Sequence, residues 1–85
     1  MKREINERLT EILIRRSGID FSEKVELKNE KLLGMKIGLP ARELLHIYFD
    51  IENTFNIGIP EEEIVAGNFD TFEHISEIVE RQLAS

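Results

Sequence analysis

Two histidine–acid pairs are the residues of this sequence whose types and spacing come nearest to a chemical site. His46 precedes Asp50 by four positions. His74 stands beside Glu73 and three positions before Glu77. One turn of helix brings each histidine to an acidic neighbour, which is half of a metal site. Each pair offers two ligands only, and the histidines fall in different predicted helices, so we predict no metal ion.

Catalytic motifs are not found in the sequence. It has no cysteine, which excludes disulfides, thiolate ligands and a cysteine nucleophile. There is no serine–histidine–acid order around a nucleophile elbow and no phosphate-cradling glycine loop, and Gly34 and Gly38 are explained by turns. We therefore do not expect an enzyme.

The charge is unevenly distributed along the 85 residues, which amount to one domain, 1–85. Residues 1–42 contain ten basic and seven acidic residues, whereas residues 43–85 contain ten acidic residues and one basic residue, Arg81. The acidic half would repel phosphate backbones, and the basic pair Arg15–Arg16 has no interleaved aromatic residue. We expect no nucleic-acid partner.

The apolar runs are too short for a membrane span. The first residues are charged and contain no apolar signal-peptide core. These features predict a cytoplasmic protein without a membrane partner.

Helical periodicity organises most of the chain. Residues 2–16 carry apolar side chains at helical spacing, and Ser17–Gly18 offers a stop. Residues 19–39 have no sustained period and predict a long loop held by apolar anchors. These anchors are Ile19, Phe21, Val25, Leu27, Leu32, Leu33, Met35, Ile37 and Leu39.

Three further helices follow this loop. The strongest period runs from Ala41 to about Phe55, after Pro40, which suits a first helical turn. A short third helix is expected from Pro60 until before Gly67, because proline followed by acids suits a helix start. Asp70–Glu73 resembles a capping box before a final helix. The buried stripes predicted for the second and final helices are Leu44, Ile47, Tyr48, Ile51 and Phe55, and Phe72, Ile75, Ile78, Val79 and Leu83. The pattern predicts an all-α, four-helix bundle.

The stretch from Ala41 to Ile64 resembles the acyl and peptidyl carrier proteins. Its helix ends in Glu52–Phe55 and is followed by Asn56–Pro60 and the acids of Glu61–Glu63. The family has the same order: a helix that ends in acids and phenylalanine, then an Ile-Pro pair, then a short acidic helix. Weaker agreement at Leu32–Gly34, Gly38 and the outer helices extends the resemblance over nearly the whole chain. It implies an acyl-carrier-protein-like bundle with a long loop between helices 1 and 2 and a short third helix.

The chain departs from this family at the attachment motif. The family has Asp-Ser-Leu at the start of its second helix, where its serine carries 4′-phosphopantetheine. Counting back from Phe55 and Pro60 places Pro40-Ala41-Arg42 there. The resemblance therefore implies a carrier fold with a degenerate attachment position at Ala41 and no cofactor.

The family docks on its enzymes through the second helix and the preceding loop. The matching positions here are Arg42, Leu45, His46, Phe49, Glu52 and Asn53. Leu45 and Phe49 lie off the predicted buried stripe, so they either form an apolar docking patch or pack under the long loop. The acids at positions 61–63 could bind a partner, although matching to the helix dipole is the commoner role of such a run.

These observations lead to three hypotheses. The first is a non-catalytic, monomeric carrier homologue that docks onto an enzyme of a biosynthetic or peptide-maturation pathway through the second helix, as scaffold, adaptor or decoy. The second is a working acyl or peptidyl carrier whose attachment serine is replaced or misaligned. The third is a small helical oligomerisation module.

Overall fold

The chain forms four α-helices and one 3₁₀ helix in a computed structural model that describes residues 2–84. The helices are α1 (Lys2–Ser17), α2 (Ala41–Phe55), α3 (Glu61–Val65) and α4 (Phe72–Ala84), with the 3₁₀ helix at Val25–Asn29. Residues 2–84 contain no strand, so the prediction of an all-helical chain with four α-helices is confirmed. Met1 and Ser85, the ends of the predicted domain, lie outside the described residues.

The hydrophobic core lies where α1 packs against α2 and α4. Each of these helices buries apolar residues spaced three or four positions apart, which places them on one helical face. The fully covered side chains are Ile5, Leu9, Ile12 and Leu13 of α1, Ile47 and Ile51 of α2, and Phe72, Ile75, Ile78 and Val79 of α4. Leu44, Tyr48, Phe55 and Leu83 are partly buried against this core, so the predicted stripes are correct in position but less covered at their edges.

The connection from α1 to α2 is anchored by three buried side chains, Phe21, Leu32 and Leu39. Phe21 stacks on Phe72 with ring centroids 5.3 Å apart. Lys28 Nζ lies 5.0 Å from the centroid of the Phe72 ring. The predicted long loop is therefore present, but it includes a 3₁₀ helix that the sequence pattern did not indicate.

Three of the predicted anchors are wrong: Val25, Leu33 and Met35 are exposed. Val25 begins the 3₁₀ helix at the surface. Leu33 and Met35 fall inside a turn whose ends are joined, because Leu39 N–H donates to the Leu32 carbonyl at 2.9 Å. The buried Leu32 and Leu39 hold both ends of this turn, and Leu33 and Met35 between them remain in solvent.

The ends of the helices follow from local conformation. Gly18 has φ +75° and its N–H donates to the Ile14 carbonyl at 2.9 Å, which ends α1 as predicted. Pro40 has an extended conformation (φ −63°, ψ 145°) and precedes α2 as its cap residue, one position before the predicted first turn.

The start of α4 differs from the predicted capping box. Thr71 Oγ1 accepts the His74 N–H at 3.0 Å, so the cap lies one residue after Asp70. Glu73 pairs instead with Lys2 of α1, with N···O 3.5 Å. The cap lies at Thr71 because its hydroxyl accepts the free backbone N–H. The Asp70 carboxylate contacts the His74 ring instead, with 2.6 Å between Oδ1 and Nδ1.

Polar contacts join α1 to the other two long helices. Arg16 donates through Nε to Asp50 Oδ2 at 2.8 Å, and this bond holds the pKa of Asp50 below its ordinary value. Ser76 is fully buried in α4 and donates to Asn6 Oδ1 at 2.6 Å. These bonds fix the register of α1 against α2 and α4.

None of the helices between Lys2 and Ala84 combines the length and the apolar character that a membrane crossing needs.

Candidate functional site

The first helical residue of α2 is Ala41, and its methyl group is exposed to solvent. A phosphopantetheine arm needs a side-chain hydroxyl at this position, and a methyl group has no oxygen to form the phosphodiester. The described serines, Ser17, Ser22 and Ser76, lie in α1, in the turn after it and in α4. Ser85 lies outside the described residues. The residues at the start of α2 therefore do not fit the prosthetic group.

The outer face of α2 carries four of the six residues predicted to dock a partner. Successive helical residues are rotated by about 100°, so Arg42, His46, Phe49 and Asn53 share one stripe, and all four are exposed. Phe49 keeps 51% of its surface exposed and contacts the edge of Tyr48 at 5.6 Å between ring centroids. Phe49 is consequently not packed under the long loop.

Leu45 lies beside a groove between α2 and α3, which we call the α2/α3 groove. Its volume is about 500 Å³, and it is lined by Ala41, Leu44, Leu45, Tyr48, Glu61, Ile64 and Phe69. Among these lining residues, Tyr48 and the buried Phe69 meet edge to face at 5.7 Å between ring centroids, whereas Leu45 of α2 (55% exposed) and Ile64 of α3 (41% exposed) are open to solvent. Leu45, like Phe49, is therefore not covered by the loop.

No pattern in the sequence predicted this groove. Ile64 and Phe69 complete it from α3 and the turn after it, outside any periodic stripe. The only signal in the sequence was that both are large apolar residues in a segment too short to form its own core.

Glu52, also predicted to dock a partner, has a structural role. Its carboxylate accepts the Ile59 N–H at 2.9 Å and so fixes the turn between α2 and α3. Burial raises the pKa of the Tyr48 hydroxyl, and the adjacent Glu52 carboxylate raises it further.

The acidic run at α3 divides into one tethered and two exposed residues. Glu63 accepts bonds from Asn68 Nδ2 at 2.8 Å and from Arg81 Nη2 at 2.6 Å, and these bonds lower its pKa. Glu61 and Glu62 are exposed and form no ion pair with another residue of the 2–84 segment. Their carboxylates remain available at the surface, and that of Glu61 lies beside the α2/α3 groove.

Neither histidine–acid pair is joined by a third ligand in the described part of the chain. Asp50 forms an ion pair with Arg16, so its carboxylate is not free to bind a metal ion together with the exposed His46. His74 pairs with Asp70 at 2.6 Å, not with Glu73 or Glu77 as its spacing suggested. Across residues 2–84, no group of three or more acidic or histidine side chains could hold a metal ion.

No family model, no curated protein and no solved structure matches this chain. The resemblance to carrier proteins rests on the residues between Ala41 and Ile64 and on the order of the helices.

Proposed function

We propose that this chain is a non-catalytic homologue of the acyl carrier proteins that lacks the attachment serine and docks through α2 onto an enzyme of a biosynthetic or peptide-modifying pathway. The observation that carries the proposal is the exposure of Leu45 and Phe49 on a helix that also buries Ile47 and Ile51. Exposure of large apolar side chains to water is unfavourable, and their burial by a partner lowers the free energy.

Two features favour docking over attachment of a prosthetic group. Ala41 removes the attachment oxygen at the position where the family's arm begins. The exposed stripe of α2 contains Arg42 and His46 beside Phe49, a mixture of polar and aromatic residues that is common at interfaces between proteins. The partner, on this proposal, binds the surface of α2 and leaves the core intact.

Photo-crosslinking from α2 tests the proposal. A photoreactive phenylalanine analogue at position 49 should form a covalent adduct with one enzyme in the cell that makes this protein. The same analogue at Glu11, exposed on α1, is the matched control and should not form that adduct. The purified enzyme should then bind the unmodified chain, and Phe49→Ala should weaken binding about tenfold, as expected for loss of an aromatic contact of roughly 1.4 kcal/mol.

Adducts that are the same from positions 49 and 11 would contradict docking through α2. An adduct from position 49 with a second copy of the chain would favour an oligomerisation module, the alternative that the same exposed side chains support. The working-carrier alternative is less well supported, because Pro40 and Arg42 differ from the family's motif together with Ala41.

A further inference from the structure

We propose that the turn between Leu32 and Leu39 binds the surface of an anionic lipid bilayer and inserts Leu33 and Met35 among the lipids. This contact goes beyond the proposed docking through α2 and uses a different part of the chain. The sequence predicted no membrane partner because it contains neither a span nor a signal-peptide core. A peripheral contact requires neither of them.

The turn presents two large apolar side chains to solvent. Met35 is fully exposed, and Leu33 keeps 52% of its surface exposed. The buried Leu32 and Leu39 anchor the turn on the core in their place. Transfer of exposed apolar side chains from water into lipid is favourable, so both residues are suited to insertion.

Backbone hydrogen bonds hold the turn in shape without a partner. The Gly34 N–H donates to the Lys31 carbonyl at 2.9 Å, and the Gly38 N–H donates to the Gly34 carbonyl at 2.7 Å. Polar backbone groups that enter lipid cost free energy unless they are already hydrogen-bonded. Part of the turn therefore meets this requirement in advance, and little ordering is needed on binding.

Cations flank the two apolar side chains. Residues 31–42 contain Lys31, Lys36 and Arg42 and no acidic residue. Lys31 is exposed and forms no ion pair within residues 2–84. The side chain of Lys36 keeps 71% of its surface exposed, with N···O 3.5 Å to Glu30. Basic side chains beside an inserted apolar group are attracted to anionic headgroups, so the charge favours an anionic bilayer over a neutral one.

The acidic half of the molecule limits the strength of this contact. Glu43, the first acid after the turn, lies 3.9 Å from both Arg16 and Arg42. The other acids of residues 43–85 are repelled by an anionic surface, which favours an orientation with the turn toward the bilayer. Two inserted side chains also bury less apolar surface than a myristoyl chain, which by itself binds only reversibly. We therefore expect weak, reversible binding.

Flotation with lipid vesicles tests the proposal on the intact chain. Phosphatidylcholine vesicles with about 30% phosphatidylglycerol should bind the protein half-maximally at roughly millimolar lipid, and pure phosphatidylcholine vesicles should not bind it. Leu33→Ser with Met35→Ser should lower the binding constant at least tenfold, since two apolar side chains no longer leave water. Lys31→Gln with Lys36→Gln should lower it severalfold and remove most of its dependence on salt.

Val25→Ser and Phe49→Ala are the matched controls. Val25 is 56% exposed, as Leu33 is, but it lies beside Glu26 in another part of the same connection. Phe49→Ala removes an exposed aromatic residue from the outer stripe of α2. Both should change the binding constant less than threefold. Circular dichroism of every variant should match that of the unmodified chain, since all the substituted residues are exposed.

A fluorescent label distinguishes insertion from contact by charge alone. The chain has no cysteine, so Met35→Cys provides a single site for a polarity-sensitive dye. The emission of this dye should shift to the blue with anionic vesicles and be quenched by lipids that carry a spin label high in the acyl chain. The same dye attached through Val25→Cys should not respond.

The remaining outcomes overturn the proposal and leave docking through α2 intact. These outcomes are no binding to either kind of vesicle, equal binding to both, or an equal loss with Val25→Ser and with the Leu33 and Met35 double variant. If vesicles do not bind and the double variant loses the enzyme crosslinked from position 49, the turn contacts a protein and not a bilayer. Failure to crosslink any enzyme, with vesicle binding that depends on the turn, would contradict the proposed function alone.

Discussion

Ala41 is the residue at which the proposed function differs most sharply from that of a working carrier. Its methyl group lies at the exposed start of α2, where a transferase would need a hydroxyl. The neighbouring Pro40 and Arg42 also differ from the family's motif, so restoring the hydroxyl alone does not restore the motif.

We predict that the protein gains no mass when incubated with coenzyme A and a promiscuous phosphopantetheinyl transferase. The Ala41→Ser variant should also remain unmodified or react far more slowly than a true carrier used as positive control. Intact-mass spectrometry measures both. A phosphopantetheine-sized gain on the unmodified chain would show that the attachment point is misplaced, and rapid modification of Ala41→Ser would favour the working-carrier alternative.

Individual contacts were predictable where they depend on spacing and not where they depend on distant partners. The buried Ile47 and Ile51 followed from the period of α2. The bond between Ser76 and Asn6 joins residues 70 positions apart, and no local pattern signals it. Glu52 was likewise assigned to a partner surface because its bond to the Ile59 N–H depends on how the chain turns after α2.

At the scale of elements, the sequence defined the helices and the end of α1 well, but not the cap of α4. Apolar periodicity located α1, α2 and α4, since it repeats over many residues. A cap depends on the conformation of one residue, which explains the shift from Asp70 to Thr71. Exposure of Leu33 and Met35 depends on the closed turn between Leu32 and Leu39, which composition does not indicate.

The end of α1 gives a prediction at this scale. Gly18 has φ +75°, so Gly18→Ala places a side chain in the left-handed region and should lower the free energy of unfolding by about 1–2 kcal/mol. Gly58→Ala is the matched control: a Cβ there meets nothing within 4 Å. It should change stability by less than about 0.5 kcal/mol, as for a surface substitution. Urea denaturation measures both, and equal effects would contradict the role of Gly18 in ending α1.

At the scale of the whole molecule, residues 2–84 are as compact as a folded chain of this length is expected to be. The Cα radius of gyration is 11.7 Å, close to the value of about 12 Å expected for a folded chain of this size. The net charge of −6 arises from −9 in residues 43–85, the second half of the chain, and +3 in residues 1–42. Copies that approach through α2 and α3 therefore bring like charges together.

We accordingly predict a monomer at physiological salt. Small-angle scattering should give a radius of gyration of about 12–13 Å that does not change with protein concentration. A radius that rises with concentration, and that returns to the smaller value in Leu45→Ala or Phe49→Ala, would contradict this prediction and favour the oligomerisation module.

The contacts of α1 have a consequence for synthesis of the chain. The buried face of α1 is covered by α2 and by α4, which follows the rest of this fold in the sequence, and the amide of Leu32 donates to the carbonyl of Asp70 at 2.8 Å. While the ribosome still holds residues 72–84 in its exit tunnel, the apolar side of α1 lacks the contacts that α4 provides and the long connection cannot close. The fold is therefore completed only after residues 72–84 have left the tunnel, and until then the charged side of α1 helps to keep this helix in solution.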